Sequence, residues 1–183
     1  MTSFKDIKAI SYFKIKELDN KYKIIKNGMT ILELGCYPGG ISQYILEYPQ
    51  VKILAVDKRL TTHPNNTNNY KFKQLNIFNN NLISYLKTQT AFDLIISDVC
   101  ENISGIKSRD RASCIKIINR IKLIEKLCLK AHKNLIFKIL EENLDKRIKT
   151  QFTNFKKILF KRTTLKKHTS EKYVLCIHKS KNT

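Results

Sequence analysis

Thr30-Ile31-Leu32-Glu33-Leu34-Gly35-Cys36-Tyr37-Pro38-Gly39-Gly40 decides the fold of this chain. The apolar run ends in a glycine-bearing turn, and a second run, Val51-Lys52-Ile53-Leu54-Ala55-Val56, ends in Asp57. Strand, glycine turn, helix, strand and a carboxylate at the second strand's tip form a unit that holds a nucleoside-bearing ligand at the carboxyl ends of a parallel sheet. Glycines let the backbone approach the ligand, and the carboxylate can take both ribose hydroxyls.

The spacing selects among such ligands. Dinucleotide binding needs G-x-G-x-x-G, with the pyrophosphate over a helix N-terminus. Gly35, Gly39 and Gly40 lack that spacing, which discounts a nicotinamide dehydrogenase. No G-K-[ST] follows the turn, which excludes a P-loop. Glu33 precedes the first glycine, where it can meet the ammonium of an amino-acid cofactor, and this suits S-adenosylmethionine. A tight strand-to-helix turn with no ligand is the competing reading.

Working outward, helix and strand alternate, as expected of a mainly parallel sheet covered on both faces. Residues 3–19 read as a helix with apolar positions Phe4, Ile7, Ile10, Phe13 and Leu18. Strands are predicted at about 30–35 and 51–57, with a helix from Gly40 to Tyr48 between them. A polar loop from His63 to Asn69 leads to a short strand near 70–75, and Leu82 to Leu86 is a short helix. Phe92 to Asp98 is a buried strand. Ser108 is expected to cap a helix over 109–131 with an Ile115, Ile118, Ile121, Leu123, Ile124, Leu127 stripe, read as core. Strands at 135–140, 155–160 and 173–177 and a helix near 142–152 complete the sheet. The Asn runs at 65–69 and 79–81 read as loops or caps.

A length of 183 residues predicts a single domain over 1–183. The net charge of +20, from 35 Lys and Arg against 15 Asp and Glu, points to a polyanionic partner, with nucleic acid favoured over compositional bias toward lysine. The five cysteines contain no C-x-x-C pair and the four histidines no ligand spacing, so reduced thiols in a reducing compartment and no metal site are expected. No apolar run reaches the length of a membrane span, and an N-terminus bearing Asp6 and Glu17 has no secretory h-region. A cytoplasmic monomer is expected, or an organellar one if the chain is a processed form.

Three charged residues interrupt the apolar pattern. Asp98 ends a strand after Ser97, Lys138 stands inside the apolar run 135–140, and Glu171 precedes the last strand. A lysine in a buried strand is costly unless paired. A structural ion pair or a snorkelling side chain is the plain alternative.

These residues carry a resemblance. The chain resembles the FtsJ/RrmJ family of ribosomal RNA 2′-O-methyltransferases over nearly its full length. The resemblance rests on Tyr12-Phe13-Lys14-Ile15, on Leu32 to Tyr44, on Ser97 to Gly105, on Phe137-Lys138 and on Ser170-Glu171-Lys172-Tyr173. It implies a Rossmann-like S-adenosylmethionine-dependent methyltransferase sheet of seven strands with the last antiparallel. The family's lysine-aspartate-lysine-glutamate tetrad falls on Lys14, Asp98, Lys138 and Glu171, with residues 1–28 as the segment that contributes Lys14. The implied cofactor contacts are Glu33, Gly35, Pro38, Gly39, Gly40, Ile41, Asp57, Asn76, Ile77 and Asp98. The chain departs from the family at Ile41, where tryptophan is usual, and at Leu75-Asn76 in place of Gly-Asp. Cys100-Glu101-Asn102 replaces Ala-Pro-Asn, Lys8-Ala9-Ile10-Ser11 replaces an arginine-rich lead-in, and the glycine pair before the fifth strand is missing. Asn76 is expected to accept from the adenine amino group through its amide oxygen.

The implied reaction transfers a methyl group to a ribose 2′-hydroxyl, with Lys138 as the base. Lysine must be lowered from its usual pKa toward roughly 7–8 to serve, and burial with a like charge at Lys14 is expected to do this. Asp98 orients the lysine and the hydroxyl, and Glu171 holds the lysines. The expected substrate is a uridine of large-subunit ribosomal RNA. The absence of a C-terminal extension favours it over a transfer RNA anticodon loop. A non-catalytic RNA-binding or ribosome-assembly module is the reading from another class, and the intact tetrad argues against it.

Overall fold

Seven strands form one sheet among the described residues: β1 (Thr30–Leu34), β2 (Lys52–Asp57), β3 (Tyr70–Gln74), β4 (Phe92–Ser97), β5 (Leu129–Ile139), β6 (Phe155–Lys161) and β7 (Lys172–Lys179). The structure is a computed structural model and describes residues 9–61, 67–100, 104–141, 143–166 and 171–180. The strand order is β3-β2-β1-β4-β5-β7-β6. Strands β1 to β5 pair in parallel, and β7 runs antiparallel between β5 and β6. The order reverses between β1 and β4, the topological switch point where open α/β sheets bind ligands.

Side chains alternate across each strand, so β1 feeds two cores. Leu32 and Leu34 pack with the helices α3 (Asn80–Lys87), α4 (Lys107–Cys128) and α5 (Asp145–Gln151). Ile31 packs on the other face with α1 (Ser11–Tyr22) and α2 (Gly40–Ile45). Glu33 shares the face of Ile31 and therefore points beneath α2.

The first helix departs from its predicted stripe. Phe4, Ile7 and Lys8 lie outside the described residues. The buried face of α1 is Ser11, Tyr12, Lys14, Ile15, Leu18 and Asp19, whereas Ile10 is exposed and Phe13 half-buried. What selects this face is α2. A Cβ on Gly40 would lie 2.7 Å from Ser11 Oγ and 2.9 Å from Ala9 Cβ, so the second glycine of the turn is a packing glycine. Asp19 completes the seat by accepting the amides of Ile24 and Ile25, each at 2.8 Å, and the Tyr44 hydroxyl at 2.8 Å. Lysine at position 14 is thereby driven under the surface.

Other boundaries shift for tertiary reasons. Helix α2 ends at Ile45, short of Tyr48. Ser108 lies within the first turn of α4 and is not its cap, Leu123 is 47% exposed, and Ile117, Glu125 and Cys128 join the buried stripe. Helix α4 stops at Cys128 rather than 131, because Lys179 Nζ takes the carbonyls of Glu125 at 3.1 Å and Leu129 at 2.8 Å while Leu129 pairs with Phe92. Strand β5 so begins six residues earlier than expected, with a register shift opposite Phe92/Leu94. The expected caps at 79–81 hold at Asn79, whose side chain accepts from Asn81 N at 2.9 Å. Helix α5 runs only from Asp145 to Gln151, and β7 extends to Lys179. Residues 62–66 of the predicted polar loop and residue 142 lie outside the described residues.

Candidate active site

The carboxyl ends of β1, β2 and β4 open into a cleft of ≈ 650 Å³, solvent at its mouth included, lined by Gly35, Tyr37, Asp57 to Arg59, Asn76 to Phe78, Asp98 to Cys100 and Lys138. Gly35 closes one wall. Its φ is +77°, and a Cβ there would stand 2.8 Å from both Val99 N and Val99 Cγ2. Only glycine lets the turn after β1 approach the segment that carries Asp98.

Asp57 ends β2 almost fully buried. Its Oδ2 accepts from Tyr37 N at 2.9 Å and its Oδ1 from Arg59 N at 2.8 Å. An ionised carboxylate has about four acceptor positions, so two remain for a diol. Arg59 lies 4.1 Å from the Tyr37 ring centroid across the mouth. Asn76 uses its Oδ1 within its own turn, accepting Phe78 N at 3.0 Å, so the amide presents one remaining lone pair and its NH₂ group. Arg120 of α4 steadies this turn, donating to the Asn79 carbonyl at 2.7 Å and to that of Ile77. Carboxylate, amide and apolar wall suit an adenosine moiety, and the donor set fits S-adenosylmethionine.

Five of the sequence-predicted cofactor contacts do not line the cleft: Glu33, Pro38, Gly39, Gly40 and Ile41. Glu33 is 0% exposed and receives the Ser42 hydroxyl, while its Oε1 is buried with no hydrogen-bond partner among the described residues. Burial, with Asp98 and Asp57 nearby, pushes its carboxyl up to about 8 against the pull of Ser42. The strand alternation that aims it at α2 is the reason it stays out of the cleft. Gly40 and Ile41 belong to the packing of α1 on α2. Gly39 has φ +112° and N-caps α2. The other predicted contacts, Gly35, Asp57, Asn76, Ile77 and Asp98, line the cleft.

The four tetrad positions come together as two ion pairs. Lys138 Nζ lies 2.9 Å from Asp98 Oδ1, and Lys14 is paired with Glu171. Both pairs are largely buried. Sequence reasoning missed Tyr173, whose hydroxyl donates to the same Asp98 Oδ1 at 2.8 Å. It is fully buried and stands opposite Lys138 in the β5–β7 register. Its place two residues after Glu171 was the available signal. Burial and the Asp98 carboxylate push the Tyr173 hydroxyl well above its usual range.

The expected lowering of Lys138 is corrected. Burial is the largest single influence and does push the ammonium down, but Asp98, Cys100 and Glu171 together outweigh it and the net direction is up. Lys14 supplies no bare like charge, because Glu171 neutralises it. Residues 101–103 and Ser170 lie outside the described residues, and among the described residues there is no group of His, Cys, Asp or Glu that could hold a metal ion. Nor is any helix there long and apolar enough to cross a membrane.

Known proteins resemble this chain in sequence and in fold. A Picrophilus torridus protein named ribosomal RNA large subunit methyltransferase E is 31% identical over 91% of this chain and 89% of its own length. A Wigglesworthia glossinidia brevipalpis protein of the same name is 30% identical over 92% of this chain and 84% of its own. A Plasmodium falciparum structure titled as a ribosomal RNA methyltransferase superposes with a TM-score of 0.81 at 26% identity, covering 94% of this chain and 98% of that one. Human methyltransferase-like protein 13, solved with SAH, shares the fold alone, at a TM-score of 0.63 and 13% identity over 95% of this chain and 84% of that one. The FtsJ-like methyltransferase model matches residues 8–179, a span that holds the glycine turn, Asp57 and all four tetrad positions, and the chain therefore belongs to the FtsJ-like methyltransferase family.

Proposed function

We propose that this protein is an S-adenosylmethionine-dependent RNA ribose 2′-O-methyltransferase, acting on a uridine of large-subunit ribosomal RNA, as one domain and a monomer in the cytoplasm. The observation that carries the reading is that the Lys138–Asp98 pair lies in the wall of the cleft that Asp57 lines. Proton-handling groups and a nucleoside clamp therefore face one space. The names of relatives matched over most of their length support the ribosomal substrate. The +20 charge supports a nucleic-acid partner.

S-adenosylmethionine brings a methyl group already activated on a sulfonium. The chain's own work is to hold the nucleoside, align the hydroxyl and move one proton. Asp57 and Asn76 hold the cofactor's ribose and base. Asp98 Oδ1 fixes Lys138 and the Tyr173 hydroxyl, and by holding Lys138 it orients the substrate hydroxyl toward the lysine nitrogen. Lys138 takes the hydroxyl proton from its neutral form. The buried Lys14–Glu171 pair sets the far side, and the Glu171 charge holds Lys138 in place.

The test incubates the protein with labelled S-adenosylmethionine and either ribosomal subunits or transfer RNA from a strain lacking the modification, then maps the labelled ribose. Label on a large-subunit uridine is expected. Lys138→Ala should lower single-turnover transfer by about 10²–10⁴ while the protein stays folded and binds the cofactor. Label on transfer RNA would move the substrate. A folded Lys138→Ala protein that transfers at the wild-type rate would overturn the assignment of the base.

A further inference from the structure

We propose that Arg120, which does not line the cofactor cleft, is a positioning residue that sets which purine the cleft accepts, by fixing the peptide that pins the Asn76 carboxamide; this rests on the cofactor reading above.

The link runs through one rigid plane. The guanidinium donates through Nε to the Ile77 carbonyl and through Nη2 to the Asn79 carbonyl at 2.7 Å. The Ile77 carbonyl belongs to the same peptide as the Phe78 amide, and a peptide is planar, so fixing one fixes the direction of the other. That amide donates to Asn76 Oδ1 at 3.0 Å. Two hydrogen bonds in series therefore connect Arg120 to a side chain that lines the cleft.

Helix α4 grips the turn from one face. Lys116, one helical turn before Arg120, lies 4.6 Å from the Phe78 ring centroid. At the far end of the turn, Asn79 N donates to the Asn76 carbonyl at 2.9 Å, and the Asn79 side chain caps α3. The packing of α4 itself rests on Ile117, Ile118, Ile121 and Ile124, all buried, whereas Arg120 is half-buried. The donors of Arg120 serve the turn.

Pinning matters because two purines differ in sense at one edge. Adenine presents a 6-amino donor, and hypoxanthine a 6-keto acceptor. An asparagine able to turn over offers its oxygen to the first or its NH₂ group to the second. With Oδ1 tied to Phe78 N it keeps one orientation, and one lone pair of that oxygen remains for the amino group. A site committed to one pattern leaves polar groups unpaired with the wrong base, and specificity follows.

The test measures binding of S-adenosylhomocysteine and of S-inosylhomocysteine, its 6-keto analogue, by calorimetry without RNA. Wild-type protein should prefer the adenine ligand. In Arg120→Met, which keeps an unbranched apolar stem and removes the donors, that preference should shrink on the order of tenfold, near the worth of one hydrogen bond. Arg120→Lys keeps a cation and should fall between. Asn76→Ala should abolish the preference, and Arg120→Met added to it should change the ratio no further, because Arg120 acts through that amide. A wild-type ratio in both Arg120 variants, or a further change in the double variant, would overturn the role of Arg120. Wild-type protein that binds both ligands equally would overturn that role together with the place of the base at Asn76. Wild-type protein that gives the expected ratios yet transfers no methyl group to RNA would sink the proposed function and leave the role of Arg120 standing.

Discussion

Lys138 and Tyr173 face each other across β5 and β7 and converge on one oxygen, Asp98 Oδ1, at 2.9 and 2.8 Å. The carboxylate is shared between a cation and a neutral donor. Each competes for the same electron density, so the tyrosine tempers how strongly Asp98 holds the lysine's proton.

Tyr173→Phe keeps the ring and removes the donor. Asp98 then binds the Lys138 ammonium more tightly, which raises the lysine further. For the wild type, kcat/KM for methyl transfer should climb with pH into the alkaline range, because Lys138 is already raised in the free enzyme and must lose its proton to act. In Tyr173→Phe the climb should move to higher pH, with the rate at neutral pH down about tenfold, near the worth of one hydrogen bond to a charged group. A pH profile that superposes on the wild type would remove Tyr173 from the proton-handling group.

Asp57 has two tasks, holding the amides of Tyr37 and Arg59 and holding the cofactor. Asp57→Ala should weaken S-adenosylmethionine by about 1–3 kcal/mol in calorimetry and also lower the melting temperature, since two amides lose their acceptor. Asp57→Asn keeps one acceptor oxygen and should lie between the two in both readouts. Unchanged affinity in Asp57→Ala would place the cofactor elsewhere.

Glu33 predicts a pH dependence of stability. Its folded carboxyl stands near 8, whereas the unfolded group titrates near 4.5. Between those values the unfolded chain has released the proton and the folded chain keeps it, so stability falls as pH rises, by up to about 1.4 kcal/mol per pH unit. Glu33→Gln keeps the shape and loses the titration. Its melting temperature relative to wild type should rise from pH 5 to pH 8 and then level off. A constant difference across that window would mean that Glu33 is ionised in the fold.

The far edge of the sheet offers a contrast. Lys179 is 2% exposed and lies 3.0 Å from Glu125 Oε1, which also accepts from Asn154 Nδ2 at 3.0 Å, while Lys122 lies 2.9 Å from Oε2. Lys179→Met strips a buried carboxylate of one cation and removes a donor from the Glu125 and Leu129 carbonyls at the end of α4. Denaturant unfolding should show a loss of about 3 kcal/mol. Methyl transfer by the folded fraction should be unchanged, because this cluster joins α4 to β6 and β7 away from the cleft.

Apolar runs and their turns were enough to locate the strands, because strand identity follows from local pattern. Asp57, Asp98, Lys138 and Glu171 were legible for a related reason, since each stands where a strand begins, ends or breaks its pattern, whereas Lys14, inside α1, was marked only by the family resemblance. The sequence was silent on partnership. That Lys14 pairs with Glu171 and Lys138 with Asp98 depends on α1 docking against Gly40 and on β7 inserting antiparallel beside β5, contacts between residues far apart in the chain. The buried face of α1 was misread because a lysine and an aspartate sit on it, and only their distant partners make that burial tolerable. Glu33 was assigned to the ligand from its place before a glycine, yet strand alternation turns it beneath α2. Local pattern determined which residues stand at the sheet's active edge. Long-range packing decided which way they point, what neutralises them and which of them hold a proton, because direction, burial and charge all depend on neighbours that the chain brings together only by folding.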